Sequence, residues 1–369
     1  MNKISVVMPS YNHARFIGEA IASVLFQSHD NIEIIVVDDG SKDNSNEIIA
    51  AISDPRLIHI PLARNVGACE AMNIAIMRSS GEFIAVCNSD DIWEHDKLEI
   101  QLGVIHSANE VGAVFSDVSW IDCDGQPLKA DSLPAFAFVF QQPNRSRFGW
   151  QRHLIESGNC LCHPSVLIRR EVYDKIGLYD NMLRQLPDLD MWLRVVQSFD
   201  ILVIPDQLVR FRIHDNNTSR KSPVSSRRNW IEHTLIARRY FCDLTADNFC
   251  RSFGFRDDKA FLSGDEVALL REKINYLVSS SCSFQSIFRD IGIEMAYFGT
   301  LRHRQEILPA LEFQNLTARF PAEMSSKGAK KRRRLAALLG PRLYESLRVF
   351  YRRHLHRRSL FSAWRRRGG

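Results

Sequence analysis

A mainly parallel β-sheet flanked by helices, continued by a helical C-terminal extension, is the architecture this sequence predicts. Three observations carry the prediction. Strand-like and helix-like runs alternate through the first 90 residues, the pattern of βαβ units. The segments that come after the strands are polar and rich in paired acids, and ligands of open sheets bind beyond the carboxyl ends of the strands. The alternation stops near Lys221-Ser222-Pro223, and the remainder of the chain reads as helix.

Taken in order, Ile4–Met8 reads as a buried strand and Ala14–Gln27 as an amphipathic helix. Ile32–Val37 and Asn44–Ile52 repeat the pair, then Leu57–Ile60 with Gly67–Met77, then the strand Phe83–Cys87. The loops after three of these strands are Pro9-Ser10-Tyr11-Asn12, Asp38-Asp39-Gly40-Ser41 and Asn88-Ser89-Asp90-Asp91. A helix from Lys97 to about His106 and a strand at Val111–Ser116 come next. Asp122-Cys123-Asp124-Gly125 has hairpin-turn chemistry. Ser132–Trp150, with Pro134, Pro143 and Asn144, reads as an irregular loop near the site. His163–Arg169 is apolar and extended, Leu189–Gln197 helical, and Ile201–Ile204 and Leu208–Arg212 extended. The expected division is an α/β domain over 1–222, a helical extension over 223–326 and a basic amphipathic tail over 327–369.

With 45% apolar and 25% charged residues the chain is a folded protein rather than a disordered one. No apolar run reaches the roughly 20 residues that cross a bilayer, and the N-terminus enters a strand at once, so no signal peptide is expected. Eight cysteines are scattered without a CxxC pair, which argues against a zinc site and fits a reduced, cytoplasmic compartment. The net charge of +5 conceals a split. From Pro321 onward there are 15 Lys/Arg against 2 Asp/Glu, while the first 320 residues carry 33 against 41. A basic tail on an acidic body points to an anionic partner surface.

The motifs PSYN, VVDDGS, RNVG, NSDD, PDLDMWLR and RIHDNNTS succeed one another at strand ends and loops. In that order they resemble the family 2 glycosyltransferases, an inverting group with a nucleotide-sugar-binding GT-A fold. The resemblance covers about residues 3–220. It implies that the second acid of the DD pair, Asp39, accepts a hydrogen bond from the nucleotide base; a carboxylate suits a uracil or thymine imide N–H because charge-assisted bonds are short and strong. Asp38 either touches the ribose or caps the helix from Asn44. Pro9 and Tyr11 match the loop flanking the base, with ordinary packing the competing reading for Tyr11. Arg64 and Asn65 before Gly67 match the loop that closes over the nucleotide, where Arg64 is either a ligand or a surface residue.

Asn88-Ser89-Asp90-Asp91 resembles the family's metal motif, with Asn88 in place of its usual first Asp. A departing nucleoside diphosphate gains negative charge, and a hard divalent ion, Mn²⁺ or Mg²⁺, stabilises it with few protein carboxylates. The resemblance puts the ion on Asp91 and turns Asp90 toward the ribose or donor sugar; a helix N-cap before Trp93–Gln101 is the bland alternative for one of them. Asp188 matches the acid that takes the acceptor's proton, although the usual preceding Glu is Pro187. Asp190 is a cap or the i+4 partner of Arg194, and Trp192 is pocket wall or core. His214 matches a loop over the diphosphate, with a solvated loop histidine as the alternative. Arg212 or Arg220 adds positive charge to the leaving group, and His163 lines the sugar pocket.

The tail begins with Lys330-Lys331-Arg332-Arg333-Arg334 and continues with Leu335, Leu338, Leu339, Leu343, Leu347 and Phe350. Apolar residues at three-to-four spacing between arginines describe a helix lying in a membrane interface. Its aromatic and leucine content favours an anionic membrane over nucleic acid, so no nucleic-acid partner is expected. The expected protein is a metal-dependent inverting glycosyltransferase, cytoplasmic and peripheral on the inner face of the plasma membrane. Its donor is a nucleotide-diphosphate sugar, UDP-linked by preference, and its acceptor a hydroxyl of a cell-surface polysaccharide or lipid-linked glycan. The alternatives are a non-catalytic glycan- or nucleotide-binding relative and a nicotinamide-dependent oxidoreductase. The latter wants G-x-G-x-x-G after the first strand, where this chain has Pro9-Ser10-Tyr11-Asn12-His13-Ala14.

Overall fold

The structure, a computed structural model, describes residues 2–302 apart from 109, 130, 132, 135, 216, 218–221 and 255–264. The predicted basic tail and Arg220 lie outside the described residues. The first four strands are β1 (Ile4–Ser10), β2 (Ile32–Asp38), β3 (Leu57–Pro61) and β4 (Phe83–Val86). They pair in parallel in the order β3-β2-β1-β4. Every residue of β2 and β4 is buried, which is why these strands read as largely apolar runs rather than alternating ones, with Glu33 of β2 satisfied by Lys3 and Ser5.

Beyond β4 the sheet continues through β7 (Leu167–Arg169), β6 (Val111–Ile121), β8 (Asp200–Arg212) and the short edge strand β5 (Ile92–Trp93). β7 runs antiparallel to both β4 and β6, and β6 is parallel to β8. Two reversals restore direction, so β8 ends on the same sheet edge as β1, β2 and β4. That edge collects the loops 10–14, 38–41 and 88–91 together with Ile213, His214 and Asp215. The sequence shows β8 as two extended pieces because Pro205-Asp206 interrupts it. The register jumps there, from Ser116↔Ile204 to Asp117↔Gln207, so the proline sits at a bulge where no ladder N–H is required.

Helices α1 (Ile17–Leu25), α2 (Ser45–Ala50), α3 (Ala68–Arg78), α4 (Lys97–Ser107), α5 (Arg147–Ser157), α6 (Arg170–Ile176) and α7 (Pro187–Val195) flank the sheet. Three departures from the sequence reading have local causes. α1 starts three residues late because Asn12 is left-handed, with φ 56°. The next two backbone N–H groups are taken by side chains, His13 N by Ser45 Oγ and Ala14 N by Asp43 Oδ2. The acids of 88–91 do not cap a helix at Trp93, since α4 begins only at Lys97. The end of the predicted loop 132–150 is already helix: Ser146 caps α5 through a bond from Gly149 N, and Trp150, Gln151, Leu154 and Ile155 are buried along one side.

The chain divides into two compact units, Met1–Gly292 and Ile293–Gly369. The first also contains α8 (Pro223–Asp243), α9 (Ala246–Phe253), α10 (Glu266–Ser279) and the start of α11 (Gln285–Arg302). α8 opens at the Ser222-Pro223 step with a capping box formed by Ser222 and Ser225. Among the described residues no helix is long and apolar enough to cross a membrane.

Candidate active site

The loop after β1 is the hub of the sheet edge. Asn12 N donates to Ser41 Oγ at 2.8 Å, and Asn12 Oδ1 accepts from Lys42 N at 2.7 Å. On its other side His13 Nδ1 lies 2.7 Å from Ser89 Oγ. One turn therefore binds the ends of β2 and β4 together. Pro9 is the next-to-last residue of β1, paired with Val37, and Tyr11 stands at the rim with 42% of its surface exposed.

Asp38 is fully buried and closes its own turn. It accepts from Ser41 N at 2.8 Å, from Ser41 Oγ at 2.6 Å and from Asn46 Nδ2 at 3.0 Å. It reaches no backbone N–H of α2, so it is a turn lock rather than a helix cap. Asp39 is also buried, and its two oxygens accept from Val66 N at 2.6 Å and Gly67 N at 2.9 Å. Each oxygen keeps a further lone pair. Gly40, at φ +72°, lets the two loops touch: a Cβ there would stand 2.6–2.9 Å from the backbone of Arg64 and Asn65. Asp39 and Gly40 thus clamp the 64–67 loop from beneath, while the Arg64 side chain stays exposed.

The 88–91 turn separates its two acids. Asp91 is 1% exposed and accepts from Asn88 Nδ2 and from Arg212 N, both at 2.9 Å. Burial, reinforced by the neighbouring Asp90 charge, lifts its carboxyl well above the usual range. Asp90, also buried, instead points to His214, with Oδ2 2.9 Å from Nε2. His13, Asp90 and His214 bring one ligand atom each to within 4.8 Å of one another. The geometry departs from the expectation that put the ion on Asp91: Asp91 is bound into the fold, and the acid facing the histidines is Asp90. Burial also lowers the His13 pKa, against the opposing pull of Asp90, which favours the neutral imidazole that ligates metals.

Arg212 corrects a second expectation. Its guanidinium is buried and spent on Asp90 O, Asp122 O and Glu19 Oε2 at 2.8, 3.1 and 2.6 Å, with Phe16 beneath it at 5.0 Å. It braces the 88–91 turn rather than offering charge to a leaving group.

Asp188 sits half-buried in the first turn of α7. Oδ1 accepts from Leu189 N at 2.8 Å, and Oδ2 from Asn159 Nδ2 at 2.6 Å. Burial is the largest influence and outweighs those bonds, so its pKa is raised to about 6. The 159–166 segment links it to the sheet edge: Asn159 holds Asp188 at one end, and Val166 O accepts from Val86 N, at the tip of β4, at the other. Asp190 pairs with Arg194 at 3.0 Å and with Arg239 of α8, and Trp192 is core, packed edge-on against Phe115. His163 bonds Tyr179 Oη at 2.8 Å, and burial pushes its pKa down to about 4. The sequence reading passed over His13, Asn159 and Glu232. Only His13 had a signal, its place directly behind the PSYN loop.

A family model described as Glycosyl transferase family 2 matches residues 5–177. An uncharacterized glycosyltransferase of Nostoc sp. is 34% identical over 222 residues, covering 58% of this chain and 66% of that protein. The chain spans less than two thirds of the Rickettsia glycosyltransferases it matches, 35% of the Rickettsia felis protein and 65% of the Rickettsia typhi one. Among solved structures, S. aureus TarS 1-349 in complex with UDP-GlcNAc has a TM-score of 0.54 at 19% identity, over 82% of this chain and 86% of that one. The likeness is one of fold, and the GT-A architecture expected from the motifs is the one this sheet adopts. The putative teichuronic acid biosynthesis glycosyltransferase TuaG of Bacillus subtilis is 30% identical over 245 residues, covering 66% of this chain and 91% of TuaG. A match across nearly the whole of that protein, on top of the family model, is sufficient: this chain belongs to glycosyl transferase family 2.

Proposed function

We propose that the protein moves a sugar from a UDP-sugar donor to a hydroxyl of a cell-surface polysaccharide or lipid-linked glycan, with inversion. One observation carries the reading. Asp39 and the His13/Asp90/His214 cluster lie on loops gathered at one sheet edge, joined through Ser89, and Asp188, in the first turn of α7, is tied through Asn159 to the segment that runs back to β4. TarS has been solved with UDP and with UDP-GlcNAc, and the name of TuaG refers to teichuronic acid; both agree with this choice of donor and acceptor class.

In this reading Asp39 accepts the uracil imide N–H with the lone pairs left over from the 66–67 clamp. Pro9 and Tyr11 flank the base, and Arg64 closes over the nucleotide. His13, Asp90 and His214 hold a divalent ion, which supplies positive charge for the departing diphosphate. A donor set of two imidazoles and one carboxylate suits Mn²⁺ better than Mg²⁺, whose sites are built from oxygen. Asp188 takes the proton of the acceptor hydroxyl, and a pKa of about 6 keeps it ionised yet basic at neutral pH. The 327–369 tail holds the enzyme against an anionic cytoplasmic leaflet, near lipid-linked acceptors. Calorimetry with UDP, with and without Mn²⁺, tests the core of this reading. Mn²⁺-dependent binding is expected, and UDP binding indifferent to the ion would overturn the metal site.

A further inference from the structure

We infer that Glu232, on the helix that comes after the sheet domain, is a positioning residue that aims and tunes Asp188; this rests on the reading of Asp188 as the base. Glu232 is 4% exposed. Its Oε1 accepts from Arg184 N at 3.0 Å, and its Oε2 from Gln185 N at 2.7 Å and Leu186 N at 2.8 Å. These three consecutive N–H groups lead straight into Pro187, the first residue of α7. The residue before that helix supplies no side-chain cap of its own. A carboxylate delivered from 46 residues further along the chain does that work, where a helix N-terminus favours negative charge.

The grip is not a single point. Arg239 lies seven residues on, two turns along the same face of α8. It donates to Asp180 Oδ2 at 2.9 Å and pairs with Asp190. One face of α8 therefore holds the 180–190 segment at its start, its middle and its helical first turn. Asp188 lies within that span and can only move with it.

The same carboxylate acts through its charge. The groups facing Asp188 from other elements are Asn159, Cys69 and Tyr179, besides Glu232. Asn159 is neutral, and burial keeps both the thiol and the phenol protonated. Asp180 and Asp190 are each paired with arginine. The partners of Glu232 on this segment are backbone N–H groups, and its influence on the Asp188 carboxyl runs in the same direction as burial, as the smallest of the contributions. A residue that only held the loop would leave the titration of the base where it was.

The test is the pH profile of kcat for Glu232→Gln in the full chain. The readout is UDP release from whichever of UDP-glucose, UDP-galactose and UDP-GlcNAc the unmodified enzyme turns over. The expected result is a kcat reduced about tenfold with an unchanged KM for donor, and an acid limb displaced to lower pH by at least half a unit. Glu232→Asp keeps the charge on a shorter arm, so its limb stays while kcat falls; it also carries the test should Glu232→Gln not fold. A Glu232→Gln enzyme with the original limb overturns the proposal, as does a Glu232→Asp enzyme with full kcat. Asp188→Asn separates this from the reading beneath it. Turnover surviving in that variant removes the base assignment itself, whatever Glu232 does.

Discussion

Asp188 carries its raised pKa because burial penalises the charged carboxylate by more than the Leu189 and Asn159 hydrogen bonds relieve it. For an acid whose folded pKa exceeds its unfolded one, the folded state keeps a proton that the unfolded state has released. Stability therefore falls as pH rises from about 4 to about 6 and stays lowered above that window. Two outcomes are expected. kcat should rise with pH through about 6 as the base ionises, and a flat profile from pH 5 to 8 would remove Asp188 from the chemistry. Asp188→Asn should lose turnover, and its stability relative to the unmodified protein should rise by up to about 2 kcal/mol between pH 4 and pH 8, on top of a pH-independent cost for the acceptor lost to Leu189 N or Asn159; denaturant melts at the two pH values measure it. The neighbouring acids of the 88–91 turn give a second residue-scale contrast. Asp90→Asn should weaken Mn²⁺-dependent UDP binding at least tenfold. Asp91→Asn should instead cost about 1–3 kcal/mol of stability, because it puts an amide where Arg212 N or Asn88 needs an acceptor. Calorimetry and melting on both variants decide, and the reverse pattern would return the ion to Asp91.

At the scale of elements, the loop after β2 and the 64–67 loop touch only because one residue lacks a side chain. Gly40→Ala would force a left-handed residue against the Arg64–Asn65 backbone. The expected cost is about 1–3 kcal/mol, together with a UDP affinity lowered several-fold as the 64–67 loop leaves Asp39. An Ala variant with full affinity and an unchanged melting curve would mean the two loops do not act together. The α1 start makes a related point. Asp43 and Ser45 take the N–H groups of Ala14 and His13, so helix formation is delayed and His13 is free to face Ser89 rather than continue a helical face.

At the scale of the molecule, the charge is distributed against itself. An acidic body with 15 Lys/Arg against 2 Asp/Glu from Pro321 onward should be drawn to anionic lipid, each basic residue near the leaflet contributing about 1 kcal/mol and losing it to salt. Deleting residues 327–369 should abolish pelleting with phosphatidylserine-containing vesicles at low salt while leaving UDP binding intact. Pelleting equal to that of the full chain would dispose of the membrane role.

The sequence by itself determined the sheet. Buried parallel strands are continuous apolar runs, their helices repeat on a 3.6-residue period, and loops must come after strand ends; Ile4–Ser10, Ile32–Asp38 and Phe83–Val86 could all be read this way because each signal is local. The site loops were legible for the same reason, as polar residues where the chain leaves a strand. Which acid of a pair faces the histidines was not, since a tight turn can aim either one, and the choice was made by Arg212 and His214, more than 120 residues away. The start of α5 was hidden by Pro143 and Asn144, turn residues that lie just before its cap. Only the tertiary structure could bring His13 to Asp90, Asn159 to Asp188 and Glu232 to the backbone ahead of α7. Hydrogen bonds between groups far apart along the chain leave no mark in local spacing, and they are what orients the carboxylates of this site.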